Sequence, residues 1–227
     1  MKSTAHWVLR CENLRKTFRI HRTGERFWHW DRRIVTALEG VTLEIPRGRF
    51  LAMYGPNGSG KTTFLRLAAG ILEPDSGRIH RAVEEIFYGP TQERQFYERL
   101  TGYQNLRFFA RLSADPVSGI EEAMLRAGLE RDAIHQPVWT YSTGMRIRLS
   151  VARALLTRAS LLLLDEPTRS IDEEGRAIVL AMIRGLARKG RSIMVATHDP
   201  EVLAEAEGRI ECRAGRFGAI QYTRGDG

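Results

Sequence analysis

The chain has 227 residues, 43% of them hydrophobic, and 35 Lys and Arg against 27 Asp and Glu, a formal charge of +8. That length supports one sizeable α/β domain, or one core with a small subdomain. No apolar run approaches the roughly 20 residues that cross a bilayer, and the opening MKSTAHWVLRCENL lacks the apolar block of a secretory signal.

A cytosolic protein, or one held at a membrane by a partner, is therefore expected. The basic excess suits a polyanionic ligand, nucleic acid or an anionic membrane surface, and does not choose among them. Cys11 and Cys212 stand far apart with no metal-type spacing, which suits two idle thiols in a reducing compartment.

In chain order, residues 8–14 have a strand-like composition. Residues 18–33, FRIHRTGERFWHWDRR, are basic and aromatic with no clean period, an inserted loop or hairpin; about 19–35 are taken as the insert. Residues 36–45, TALEGVTLEI, alternate apolar and polar, a half-buried strand. After the turn at 46–48, FLAMY (50–54) is a short buried-strand run. Residues 61–69 carry apolar positions at helical spacing, with Gly70 as the stop. Residues 100–129 read as mostly helical. SLLLLDEP (160–167) and RSIMVATHD (191–199) are two more buried-strand runs, separated by a helix over 173–189. Residues 209–222 look like a small hairpin turning at Ala214-Gly215. Strands alternating with helices predict a mainly parallel sheet covered on both faces.

GPNGSGKTT (55–63) matches the phosphate-loop pattern G-x-x-x-x-G-K-[ST], with a buried strand before it and an amphipathic helix after it. Gly58 and Gly60 let the backbone fold tightly, so that the N–H groups around Asn57 and Ser59 point at an anion. The helix beginning near Lys61 adds its positive end. Lys61 can reach the outer phosphates, and Thr62, followed by Thr63, can place a hydroxyl on Mg²⁺. A second metal anchor is expected from LLLLDE: Asp165 ends a central strand, where α/β sheets bind ligands. Glu166 can polarise a water for in-line attack on a terminal phosphate.

With these motifs, GPNGSGKT, PTQE, YSTGM, LLLLDEP, SID and ATHD in that order, the chain resembles the ATP-binding subunits of ABC transporters over about residues 8–220. The resemblance implies a phosphate-loop NTPase fold: a mainly parallel sheet core, an antiparallel β part at the N-terminus, and a helical subdomain (about 93–158) between the phosphate loop and the signature. All 227 residues would form one ATP-binding domain.

YSTGM stands where the family keeps its signature, usually LSGGQ. The resemblance implies that two copies pack head to tail, so that Ser142, Thr143, Gly144 and Met145 of one cap the ATP held by the other. A stripe of Met145, Leu149, Ala152 and Leu156 would bury the signature helix, with the arginines largely off it. Gln92 would contact metal and water, and His198 would act as the switch histidine at the terminal phosphate. Asp172 would couple the two sites, and Phe18 would stack on the adenine, with Phe27, Trp28 and Trp30 as rivals. The implied cofactors are ATP and Mg²⁺.

The implied partner is a separate membrane-spanning permease subunit, at the cytoplasmic face of the membrane. The departures are Thr143 for the usual first glycine, Met145 for glutamine, and Arg169 and Ser170 where small residues are commoner. The signature type and the basic insert look like ABC-2-type exporters, nearest to those for polysaccharide, teichoic acid or O-antigen and next to those for drugs. The alternatives are a non-transport ABC-type ATPase acting on nucleic acid or ribosomes, and a small kinase of the phosphate-loop class. The first lacks the paired domains or coiled coil its members carry, and the second leaves YSTGM and ATHD unexplained.

Overall fold

A computed structural model describes residues 5–23, 30–89, 96–169 and 171–223, and of 20–23 and 30–33 the backbone. The described chain runs β1 (Trp7–Thr23), β2 (Trp30–Pro46), β3 (Phe50–Tyr54), α1 (Lys61–Ala68), β4 (Ser76–Arg81), β5 (Ile86–Gly89), α2 (Gly102–Leu112), α3 (Ile120–Arg126), α4 (Arg131–Ile134), a 3₁₀ turn (Val138–Thr140), α5 (Thr143–Leu156), β6 (Leu161–Asp165), α6 (Glu173–Arg188), β7 (Ser192–Ala196), α7 (Pro200–Glu205), β8 (Gly208–Arg213), β9 (Arg216–Phe217) and β10 (Gln221–Tyr222).

Two sheets form. One is antiparallel, in the order β2-β1-β4. The other runs β10-β8-β3-β7-β6-β5, with parallel pairing from β8 through β5 and with β9 attached to β8. The continuous apolar runs of β3, β6 and β7 follow from their central position. Their alternate residues feed two different cores, so neither face is polar. Phe50, Ala52, Leu162, Leu164, Ile193 and Val195 face the cluster that includes α5 and α6. Leu51, Met53, Leu161, Leu163, Met194 and Ala196 face the cluster built with α1 and the antiparallel sheet.

Of the two readings of the insert, loop or hairpin, the described residues form the hairpin, as a continuation of the β1–β2 ladder. Backbone pairing runs from Trp7↔Pro46 through Phe18↔Val35 to Thr23↔Trp30, with several register shifts on the way. The ribbon leaves the core as it extends: Leu14 and Leu38 are fully buried, whereas Phe18 and Ile34 are exposed. At Phe18 and Ile34 no core face imposes an apolar period on the sequence. Two further strands were not anticipated. β4 is almost wholly exposed and carries no apolar alternation, and β5 is only four residues long. The 209–222 hairpin is present as β8 and β9, but β8 also joins the parallel sheet beside β3.

The helices between β5 and β6 form the expected helical part. Asn105, fully buried on α2, anchors the loop that precedes it. Its side chain accepts from Tyr97 N at 2.8 Å and donates to the carbonyls of Tyr97, Leu100 and Thr101 at 3.0–3.2 Å. Thr101 and Gln104 add a reciprocal capping box at the start of α2. Asn105→Ala leaves several buried backbone groups unpartnered and is expected to cost about 2–4 kcal/mol. Urea denaturation measures this; a loss below about 0.5 kcal/mol would show that the loop holds without its anchor.

Candidate functional site

The parallel register brings three strand ends to one height. Met53 pairs with Ala196 and Asp165 pairs with Ala196, and the ladder continues past them through Thr197 N to Met53 O at 2.9 Å and Glu166 N to Ala196 O at 2.8 Å. The loop after β3, the Asp165-Glu166 pair after β6 and the Thr197-His198 pair after β7 are therefore neighbours.

Residues 55–60 wrap tightly from β3 into α1. A Cβ on Gly55 would fall 1.9 Å from Cys212 O, and one on Gly60 would fall 2.4 Å from Ala37 O. Both backbones are also in conformations that side chains rarely adopt, with φ of 141° and 101°. Ser59 is buried, and its carbonyl accepts from Gly215 N in the β8–β9 turn at 3.2 Å. Gly60 is the N-cap residue of α1 and supplies no side-chain hydrogen bond. The first-turn N–H groups of α1 thus point into the loop without a protein cap, where an anion is favoured.

Lys61 lies inside this loop. Its ammonium donates to Gly55 O at 2.5 Å and Pro56 O at 3.2 Å, and lies 3.4 Å from both Ser59 Oγ and His198 Nε2. Thr62 Oγ1 donates to Asp165 Oδ1 at 3.1 Å. Tyr88 OH is 3.5 Å from Asp165 Oδ2, and Arg66 Nε donates to Tyr88 OH at 3.4 Å. Burial raises the pKa of Asp165, and the Thr62 hydrogen bond and the Arg66 charge oppose that rise. Burial likewise raises the pKa of Glu166, with the His198 charge opposing it. Glu166 sits at φ 49°, a left-handed backbone unusual for a non-glycine residue. His198 Nε2 is 3.5 Å from Glu166 Oε1 and 3.4 Å from Lys61 Nζ. It accepts from Lys61 in one tautomer and donates to Glu166 in the other.

A cleft of about 320 Å³ is lined by Phe18, Val35, Ala37, residues 57–63, Asp165, Glu166 and Arg169. The structure therefore gathers Phe18, Asn57, Gly58, Ser59, Gly60, Lys61, Thr62, Thr63, Asp165 and Glu166 around one space, with His198 against Lys61 and Glu166. Gln92 and Ser170, with Phe27 and Trp28, lie outside the described residues, and Trp30 is described only in its backbone. Ser142, Thr143, Gly144, Met145 and Asp172 do not line this cleft.

Ser142 caps α5, its hydroxyl accepting from Met145 N at 3.2 Å. Gly144 has only Ser142 Oγ near its missing Cβ, at 3.9 Å. Asp172 caps α6 through Gly175 N at 2.7 Å, which alone explains a carboxylate there. Leu149 and Ala152 are buried, with Met145 and Leu156 packed at the edge of the same cluster. The arginines depart from expectation, since Arg153 is not on an open face. Its guanidinium stacks over Phe109 at 4.1 Å and Phe87 at 5.2 Å, and burial lowers its pKa.

Sequence reasoning missed Val35 and Ala37 as cleft residues and Tyr88 and Arg66 as the groups behind Asp165. Tyr88 lies in a four-residue strand with no motif, and Val35 and Ala37 arrive only through the β1–β2 register.

A strand–loop–helix phosphate cradle with a buried carboxylate at the next strand end defines a phosphate-loop nucleotide-binding fold. The family described as "ABC transporter" matches residues 38–169, more than half of the chain, and the chain belongs to it. It is 37% identical over 175 residues to an ABC transporter ATP-binding protein YdbJ of Bacillus subtilis, covering 71% of this chain and 56% of the relative. It is 34% identical over 184 residues to the fluoroquinolones export ATP-binding protein Rv2688c of Mycobacterium tuberculosis, covering 77% and 61%. The chain thus spans somewhat under two thirds of each of these relatives. Among solved structures, the ATP-binding cassette MJ0796, a dimer in a post-hydrolysis state bound to ADP and Pi, superposes with a TM-score of 0.81 at 24% identity, over 96% of this chain and all of that one; this likeness is one of fold. No helix among the described residues is long and apolar enough to cross a membrane.

The two carboxyls set a pH prediction. A carboxyl whose folded pKa lies above its unfolded value gains protons on folding, so stability falls as pH rises through that window. Glu166→Gln removes this cost. The variant is expected to unfold at higher urea than the wild type at about pH 7.5, and the gain should fade towards about pH 4.5, near the ordinary glutamate range. A gain equal at both pH values, or a loss at the higher one, would contradict the burial cost.

Proposed function

We propose that the chain is the ATP-hydrolysing motor of a transporter, working as one ATP-binding domain that closes on a second copy around ATP and Mg²⁺. The observation that carries this is one cleft holding an uncapped helix start, a buried lysine and two carboxylates at the end of a single strand, β6. The polyphosphate would lie against the N–H groups of 58–63 with Lys61 at its outer phosphates, and Phe18, at the mouth, would stack on the base.

The residues fit Mg²⁺: Thr62 and Asp165 offer a hydroxyl and a carboxylate oxygen 3.1 Å apart, a donor set suited to an ion shared with nucleotide phosphates. Thr62 and Asp165 would hold it, with Gln92 expected to contribute, and when bound it would offset charge on the outer phosphates. Glu166 would orient the attacking water and accept its proton. Its raised pKa and its contact with His198 suit a group that must take up a proton near neutral pH. His198, already beside Lys61, would hold the terminal phosphate side of the water.

Ser142, Thr143 and Gly144 project from the exposed start of α5, and no residue of the same chain crowds Gly144. We read them, with Met145 behind, as the surface that caps the nucleotide of a second copy, with Asp172 at the same interface. A membrane-spanning permease at the cytoplasmic face of the membrane would receive the motion. For cargo, the fluoroquinolone-export relative favours drug export over polysaccharide export. Neither nucleic acid nor a phosphate acceptor is required by any of these groups.

Glu166→Gln is expected to bind ATP with near wild-type affinity, lose more than about 100-fold in turnover, and accumulate as an ATP-loaded dimer. Phosphate release and sedimentation in ATP measure both. Normal turnover in a variant that remains monomeric would refute the assignment.

A further inference from the structure

We propose that Arg169 is a phosphate-contacting residue whose guanidinium grips the terminal phosphoryl group of the nucleotide held by its own chain's phosphate loop. This rests on the nucleotide reading above and adds a group that the phosphate loop does not supply. Arg169 lines the cleft together with Lys61, Thr62 and Glu166. It is exposed, and among the described residues its guanidinium has no ion pair or hydrogen bond. The arginines of α5, by contrast, are engaged. Arg146 pairs with both oxygens of Glu98, Arg148 donates to Gly128 O, and Arg153 packs over aromatic rings.

A backbone hydrogen bond places Arg169. Its N–H donates to Glu166 O at 3.1 Å, closing the turn that follows β6. The arginine is therefore carried on the same turn as Glu166 and keeps a fixed place relative to it.

Charge explains why a cation is needed there. The loop side of the cleft is positive, with Lys61 and the start of α1. The β6 side presents Asp165 and Glu166, which repel a terminal phosphate that approaches the water held by Glu166. A guanidinium three residues on offsets that repulsion and presents a fork matched to two phosphate oxygens. Lysine in its place would keep the charge but lose the fork.

The test is equilibrium binding of ADP and of a non-hydrolysable ATP analogue, both with Mg²⁺, to wild type, Arg169→Ser and Arg169→Lys. It is run at concentrations where sedimentation gives single chains, with thermal melts to check folding. Arg169→Ser is expected to weaken the triphosphate analogue about tenfold and ADP less than about twofold, with Arg169→Lys in between. Equal weakening of both ligands, no change in either, or a loss seen only in dimers would overturn the proposal. Failure of the wild type to bind either nucleotide would instead bring down the nucleotide reading and this inference together.

Discussion

The site depends on three parallel strands that end at the same height. Because Met53 and Asp165 both register against Ala196, the residues just beyond each strand must converge. Backbone hydrogen bonds carry the ladder one step further, tying Thr197 to β3 and Glu166 to β7. The positions of Gly55, Glu166 and His198 are thus set by main-chain geometry and not by side-chain contacts that a single substitution could remove. The strands can do this because both faces are buried. Six apolar residues from β3, β6 and β7 face each core, and burying each such side chain is worth about 1.5–3 kcal/mol.

That rigidity lets the strand ends hold unfavourable chemistry. Asp165 and Glu166 are adjacent carboxyls, both with raised pKa values because they are buried, and Glu166 also sits at φ 49°. Each feature is a cost to folding, on the order of 1–3 kcal/mol for the backbone strain alone. Neighbouring groups offset part of it: His198 and Lys61 lower the pKa of Glu166, and Thr62, Arg66 and Lys61 that of Asp165. A site that is under strain and fixed in place has little reorganisation left to do when charge arrives, which is the condition for electrostatic catalysis.

Much of this was legible in the sequence because the signals are local. The apolar runs of β3, β6 and β7 lie directly beside their motifs, and a phosphate loop is defined by glycines whose need is conformational. Gly58, for example, has nothing within 4 Å of its missing Cβ yet adopts φ 80°. What could not be read was set by long-range pairing. Val35 and Ala37 enter the cleft through the β1–β2 register, and Tyr88 reaches Asp165 from a short strand beside β6. The ribbon beyond Phe18 read equally as a loop or a hairpin because its sequence displays no hydrophobic period. The double use of β8, as a hairpin arm and as a neighbour of β3, required knowing that Gly55 comes against Cys212 O.

The arginines of α5, though dense, are engaged within their own chain. Arg146 is locked to Glu98, Arg153 to Phe87 and Phe109, and Arg148 both to Gly128 O and, at 3.4 Å, to Glu174 of α6. They brace α5 against α2, the α3 terminus and α6. That bracing matters because α6 begins at its Asp172 cap, six residues after Glu166, so the exposed start of α5 is tied to the element that follows the strained turn.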